Sequence, residues 1–148
     1  MGKALAAASA LCAQRGARLT PLRRRVLEMV WARHEPVLAY DLLDRLRREK
    51  QRAAPPTIYR ALEFLLAHGL IHRIESLNAY IGCVDPTVEH ASQFLICQQC
   101  RTVAELDDPD IGRVVRARAH RAGFHVLQST VEVAGLCPVC HVGSENQT

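Results

Sequence analysis

The stretch Pro55-Pro56-Thr57-Ile58-Tyr59-Arg60-Ala61-Leu62-Glu63-Phe64-Leu65-Leu66 decides the fold. Proline suits the opening of a helix, where its missing N–H would be unpaired anyway, and Gly69 supplies a stop, so the segment predicts a helix from Pro55 to Gly69. Ile58, Leu62, Leu65 and Leu66 fall at i, i+4, i+7 and i+8, an apolar stripe that needs a core. Thr57, Tyr59, Arg60 and Glu63 fall towards the other side near the N-terminus, where a recognition helix offers side chains to base edges. Arg60 has the geometry for two hydrogen bonds to a guanine, and Tyr59 for stacking on a thymine methyl or donating to a phosphate. An ordinary solvated helix face explains the same pattern, so the flanking sequence has to decide.

Upstream, Thr20 is a good N-cap, Pro21 fits the first helical position, and Leu22, Val26, Leu27 and Val30 recur on one face, predicting a helix to about Arg33. A further helix runs from about Ala39 to Lys50, with Leu42, Leu43 and Leu46 inward and Arg45, Arg47 and Arg48 outward. Short helices joined by tight turns match a helix-turn-helix. Downstream, Leu70–Ile74 and Tyr80–Cys83 are β-prone and flank Glu75-Ser76-Leu77-Asn78, a hairpin that would make the unit a winged helix. Residues 1–80 carry 14 Lys/Arg against 7 Asp/Glu, whereas residues 81–148 carry 5 against 8. A basic first half suits a polyanion, and the second half has another task.

Periodicity is lost between Gly82 and Ala91, around Pro86, as in a hinge. Beyond it, Gln93–Cys97 and Thr102–Leu106 read as strands, Pro109–Ala122 as a helix ended by Gly123, and Phe124–Ala134 as a long strand. A β-β-α-β unit of that size has a small core and calls for a metal and a partner subunit. The predicted class is α+β: a winged helix-turn-helix over residues 1–82, a hinge over 83–91, and a small α/β dimerisation and metal-binding domain over 92–148. A hydrophobic fraction of 49% with 23% charged residues in 148 residues excludes a disordered or collagen-like chain, and no apolar run reaches membrane-spanning length. The segment Leu5 to Cys12 has the look of a short signal peptide but runs on into Gln14-Arg15-Gly16, as an amphipathic helix closed by glycine does. The expectation is a cytoplasmic chain with no membrane partner, in which paired thiols hold metal or do redox chemistry.

Cys97-Gln98-Gln99-Cys100 and Cys137-Pro138-Val139-Cys140 each set two thiols one turn apart, and four thiolates suit a closed tetrahedral zinc site. A redox CxxC is the main rival, although that motif opens a helix after a strand and occurs once rather than twice. His72, Cys83, His90 and Glu105 cluster around the hinge in sequence. Each alone is unremarkable, since a lone His or Cys is more often packed than ligating. If they converge, two imidazoles, a thiolate and a carboxylate favour zinc over manganese or iron because of the soft sulfur. Cys12, His34, His68, His120, His125 and His141 have no comparable grouping and read as structural or surface residues.

The chain resembles the ferric uptake regulator family along nearly its whole length. The likeness rests on Cys12-Ala13-Gln14-Arg15, Arg18-Leu19-Thr20-Pro21, Ala39-Tyr40-Asp41-Leu42-Leu43, the stretch Pro55 to Leu65, and the two CxxC pairs. It implies a homodimeric, metal-dependent repressor that binds palindromic double-stranded operator DNA, acting in the cytoplasm and on the nucleoid when loaded. Within the family the resemblance is to zinc-responsive members that repress zinc-uptake genes, with two Zn²⁺ per subunit. It implies structural zinc at Cys97, Cys100, Cys137 and Cys140, and regulatory zinc at His72, Cys83, His90 and Glu105. DNA contacts carry over onto Tyr40, Tyr59 and Arg60, and more loosely onto Arg18 and Thr57. An iron- or manganese-responsive repressor is the alternative, but the chain reads Val88-Glu89-His90-Ala91-Ser92-Gln93 where iron-sensing relatives carry a His-rich segment. No small-molecule substrate is implied. A zinc deaminase needs H-x-E followed by P-C-x-x-C, which the chain lacks, so an enzyme is not expected.

Overall fold

The computed structural model describes residues 1–33, 35–83, 85–87 and 91–145, without the side chains of 144 and 145. The chain forms two compact units, Met1–Glu89 and His90–Thr148.

The first unit is a winged helix-turn-helix preceded by one more helix. Helix α1 (Gly2–Gln14) buries Leu5, Ala8 and Cys12, one stripe at helical spacing, and closes at Gly16 with a left-handed φ of +70°. Helix α2 (Pro21–Trp31) starts where Thr20 accepts a hydrogen bond from the Arg23 N–H at 3.4 Å, and it buries Val26, Leu27, Met29 and Val30. Helix α3 (Ala39–Arg48) buries Leu42, Leu43 and Leu46 and leaves its arginines in the last turn, where they oppose the helix dipole. Arg25 ties α2 to the end of α3 through its ion pair with Glu49. Helix α4 (Pro55–Ala67) buries Ile58, Ala61, Leu62 and Leu65 and ends as expected at Gly69, φ +66°.

The wing is an antiparallel pair, β1 (Ile71–Ile74) and β2 (Ala79–Gly82), in which His72 faces Ile81 and Arg73 faces Tyr80. Asn78 turns it at φ +47°, its side chain accepting from Arg73 at 2.9 Å. Tyr80 also exchanges two backbone hydrogen bonds with Val37, each 2.8 Å, which fastens the α2–α3 connection to the wing. The Trp31 indole donates to the Leu70 carbonyl at 3.1 Å and lies so close to Gly82 that a Cβ there would stand 2.5 Å from Trp31 Cδ1. Only glycine fits that position.

The second unit is a three-stranded sheet in the order β4-β3-β5 with two helices. Strand β3 (Ser92–Cys97) pairs antiparallel with β4 (Val103–Glu105) and parallel with β5 (Thr130–Gly135), and α5 (Pro109–Arg121) lies between β4 and β5 in sequence. Two expectations need correction. The long strand expected over Phe124–Ala134 is confined to β5, because β3 offers only six residues to pair with and those are matched by Thr130–Gly135. Helix α6 (Pro138–Glu145), which the sequence reading left out, begins inside the second CxxC. No helix among the described residues is long and apolar enough to cross a membrane.

Candidate functional site

The parallel register of β3 and β5 builds the four-cysteine cluster. Cys97, the last residue of β3, lies opposite Gly135, the last residue of β5, so the chain leaving each strand brings its CxxC to the same end of the sheet. Gln98 N–H donates to the Gly135 carbonyl at 2.9 Å, and Arg101, turned to φ +67°, donates back to the Cys97 carbonyl at 3.0 Å. Four sulfurs on a tetrahedral zinc with bonds of about 2.3 Å stand roughly 3.8 Å apart. Here Cys100 and Cys137 Sγ are 3.7 Å apart and all four ligand atoms lie within 4.8 Å of one another. No two described cysteines form a disulfide.

The acidities of these thiols diverge. Backbone N–H groups of Cys100 and then Cys137 pull Cys97 down to about 6. The Thr102 hydroxyl, 3.1 Å from Cys100 Sγ, lowers Cys100. Cys140 is pushed up to about 12, first by its hydrogen bond with Cys137 and then by burial. Sulfurs at van der Waals contact cannot all carry charge by themselves, and a divalent cation removes the conflict by holding all four as thiolates. The donor set therefore fits zinc. Cys137 directly before α6 does reproduce the strand-to-helix setting of a redox CxxC, but the second pair alongside it distinguishes this cluster.

The remaining expected metal ligands divide between the units. His72 and Cys83 belong to the wing: the register sets His72 beside Ile81, and Cys83 shares the Ile81 side of the strand, so their ligand atoms lie within 4.8 Å. The Cys83 N–H is anchored on the Leu70 carbonyl at 3.1 Å. Glu105 is half-buried at the end of β4 in the second unit, opposite Phe94. His90 lies outside the described residues, as does His34. Cys12 is buried in α1, where burial raises its pKa, and His120, His125 and His141 are exposed.

On the first unit, Arg60 is exposed one turn into α4, with Tyr59 49% exposed beside it and Thr57 half-buried in the first turn. Tyr40 opens α3 and is 73% exposed, and Arg18 is exposed in the loop before α2. Two arginines that the sequence reading passed over, Arg15 and Arg23, reach α4 from α1 and α2. Their signal was faint: Phe64 stands as a large apolar residue off the buried stripe of α4.

The family described as the ferric uptake regulator family matches residues 14–134. The zinc uptake regulation protein of Escherichia coli (strain K12) is 41% identical over 139 residues, covering 92% of this chain and 80% of that protein. A solved zinc uptake regulator complexed with zinc and DNA is similar at a TM-score of 0.89 and 38% identity, covering 97% of each chain. The crystal structure of holo XcZur is similar at 0.86 and 42% identity, covering 96% of this chain and 99% of that one.

Proposed function

The chain belongs to the ferric uptake regulator family, and from that premise we propose that it is a zinc-responsive transcriptional repressor of the zinc-uptake type. The observation that carries this reading is the likeness, over nearly the whole of both chains, to a zinc uptake regulator solved with zinc and DNA. The role is regulatory rather than enzymatic, and its place is the cytoplasm.

Two zinc ions per subunit are assigned to two donor sets of different chemistry. Cys97, Cys100, Cys137 and Cys140 would hold one as a closed structural site, leaving no coordination position for water. His72, Cys83, His90 and Glu105 would hold the regulatory one, and a set with a single thiolate releases metal more readily than a set with four. When bound, the ion supplies only charge and coordination. The first unit binds DNA, with Arg60 and Tyr59 on base edges and Tyr40, Thr57 and Arg18 as supporting contacts. The second unit dimerises. Its support is exposed apolar surface: Leu127 is 90%, Val139 82% and Phe124 71% exposed, with Val142, Val114 and Val133 about half exposed. A homodimer covers such surface and presents two recognition helices to a palindrome about one helical turn apart or a multiple of it.

The test is operator binding against buffered free Zn²⁺, with Fe²⁺ and Mn²⁺ as controls, on a palindromic duplex selected from a random pool by the zinc-loaded protein. Tight binding should appear with zinc at concentrations where the other two ions give none. Equal binding with Fe²⁺ or Mn²⁺ would transfer the reading to an iron or manganese sensor.

A further inference from the structure

Arg23 lies in the first turn of α2, yet its guanidinium serves other segments. Its NH1 donates to the Arg18 carbonyl at 2.8 Å, and its Cζ lies 3.8 Å from the centroid of the Phe64 ring. Phe64 follows Arg60 by one turn along the same flank of α4, and His68 follows Phe64 by another, the two rings meeting at a centroid distance of 4.4 Å. From α1, Arg15 NH1 donates to the His68 carbonyl at 2.8 Å, capping the last turn of α4. Three positions on one flank, Arg60, Phe64 and His68, therefore include one that faces outward for DNA and two that are gripped from other helices.

We propose, on the basis of the DNA-binding role assigned to α4 above, that Arg23 and Arg15 are positioning residues. By holding Phe64 and His68 they fix the roll of the recognition helix, and Arg23 ties the Arg18 loop to the same reference point. The core side chains of α4, namely Ile58, Ala61, Leu62 and Leu65, are all apolar. Their interdigitation holds the helix on the core and sets its roll coarsely, but apolar contacts add no directional bond to refine it. A 20° roll moves a side-chain end 5–6 Å from the helix axis by about 2 Å, which is enough to break a two-bonded guanine contact. The stacked guanidinium and the capping guanidinium are directional and sit about one and two turns beyond Arg60. Arginine is needed at position 23 because a planar fork can lie on a ring and donate in its plane at the same time, which an ammonium cannot. The setting of His68 agrees: its Nδ1 is buried without a hydrogen-bond partner, and burial, then Arg15 and Arg23, lower its pKa.

The rival role for either arginine is a plain phosphate contact, and salt dependence separates the two. Zinc-loaded full-length protein is titrated with operator and with a random duplex across a salt series, for the native chain, Arg23→Lys, Arg23→Gln, Phe64→Leu and Arg15→Gln. Arg23→Lys and Phe64→Leu keep the charge, so both should weaken operator binding roughly tenfold per half-site. Random-duplex affinity and the salt slope should stay as in the native chain. Arg15→Gln should lower the ratio of operator to random affinity in the same sense. In the double variant Arg23→Lys with Phe64→Leu, the loss should stay close to that of the worse single change, because both remove one contact. The proposal is overturned if Phe64→Leu binds operator within twofold of native, or if Arg23→Gln weakens both duplexes alike and shallows the salt slope by about 0.9 per half-site. Operator losses that merely track the unfolded fraction in thermal melts also overturn it. Failure of the native chain to bind any duplex in a zinc-dependent way would instead overturn the DNA-binding reading itself, a result visible before any variant is made.

Discussion

The two units reach order by different means. Among the described residues, of the twelve largest fully buried side chains eleven belong to Met1–Glu89 and only Phe94 belongs to His90–Thr148. The first unit has a leucine-rich interior drawn from α1 to α4 and the wing. In the second, α5 has no buried residue, and β3 supplies almost all of the interior. A unit so thinly packed draws little on apolar burial, and the zinc and the partner proposed for it would supply what burial does not. On that proposal one half is specified by apolar packing, the other by ligands.

Removing a ligand should therefore do more than removing a core side chain. Cys97→Ser should lose the structural zinc together with the folded second unit and the dimer, since structural zinc sites contribute on the order of 10–16 kcal/mol of apparent binding energy that is also folding energy. Zinc content and sedimentation would show this, with α1 to α4 still helical. A stable dimer without that zinc would reverse the comparison. In the first unit, Leu65→Ala, at a side chain of 0% exposure, should cost about 2–5 kcal/mol in denaturant melts and leave the zinc content as it was. Loss of zinc along with stability in that variant would mean that the units are not specified separately.

How much of this was legible beforehand follows the same division. The helices of the first unit announce themselves because caps, prolines and apolar stripes are local signals: Thr20, Pro21 and Gly69 mark real boundaries. The four cysteines were legible for the same reason, each pair being three residues apart. What the sequence could not give was non-local. The start of β5 depends on how much of β3 is available for pairing, so Phe124, Val126 and Leu127 look β-prone yet pair with no strand among the described residues. Helix α6 is masked in the sequence because Pro138, its first residue, also lies inside the second CxxC. Arg23 looked like one more cation in a basic segment, and its hold on Phe64 arises only when α2 packs against α4.

Smaller effects sharpen the picture of the first unit. Arg60→Ala should weaken operator binding by about 1–3 kcal/mol per half-site and leave zinc content alone, as read by anisotropy on operator and random duplexes. Equal losses on both would reassign Arg60 to the DNA backbone. The smallest effect is on pH. Burial, then Arg15 and Arg23, hold His68 below its usual 6.5, so as pH falls through 6.5 the unfolded chain takes a proton that the folded chain declines, and stability falls with it. His68→Gln should flatten that part of the acid limb in melts between pH 7 and about 5. An unchanged limb would show that another group carries it.

Zinc-gated DNA binding is tested most directly by Cys83→Ser, followed by zinc stoichiometry, sedimentation and operator affinity across buffered free Zn²⁺. Cys83 sits beside His72 on the wing, away from the four-cysteine cluster in sequence and within the other unit. The variant should keep one zinc per chain and dimerise normally. At zinc levels that saturate the native protein it should bind operator only weakly, since the competent fraction of dimers sets the apparent affinity. Linkage requires that operator tighten zinc binding in the native protein by the same factor, and in the variant this effect should vanish. If Cys83→Ser retains full zinc-dependent operator affinity, the sensing site lies elsewhere and His72, Cys83, His90 and Glu105 are not its ligands.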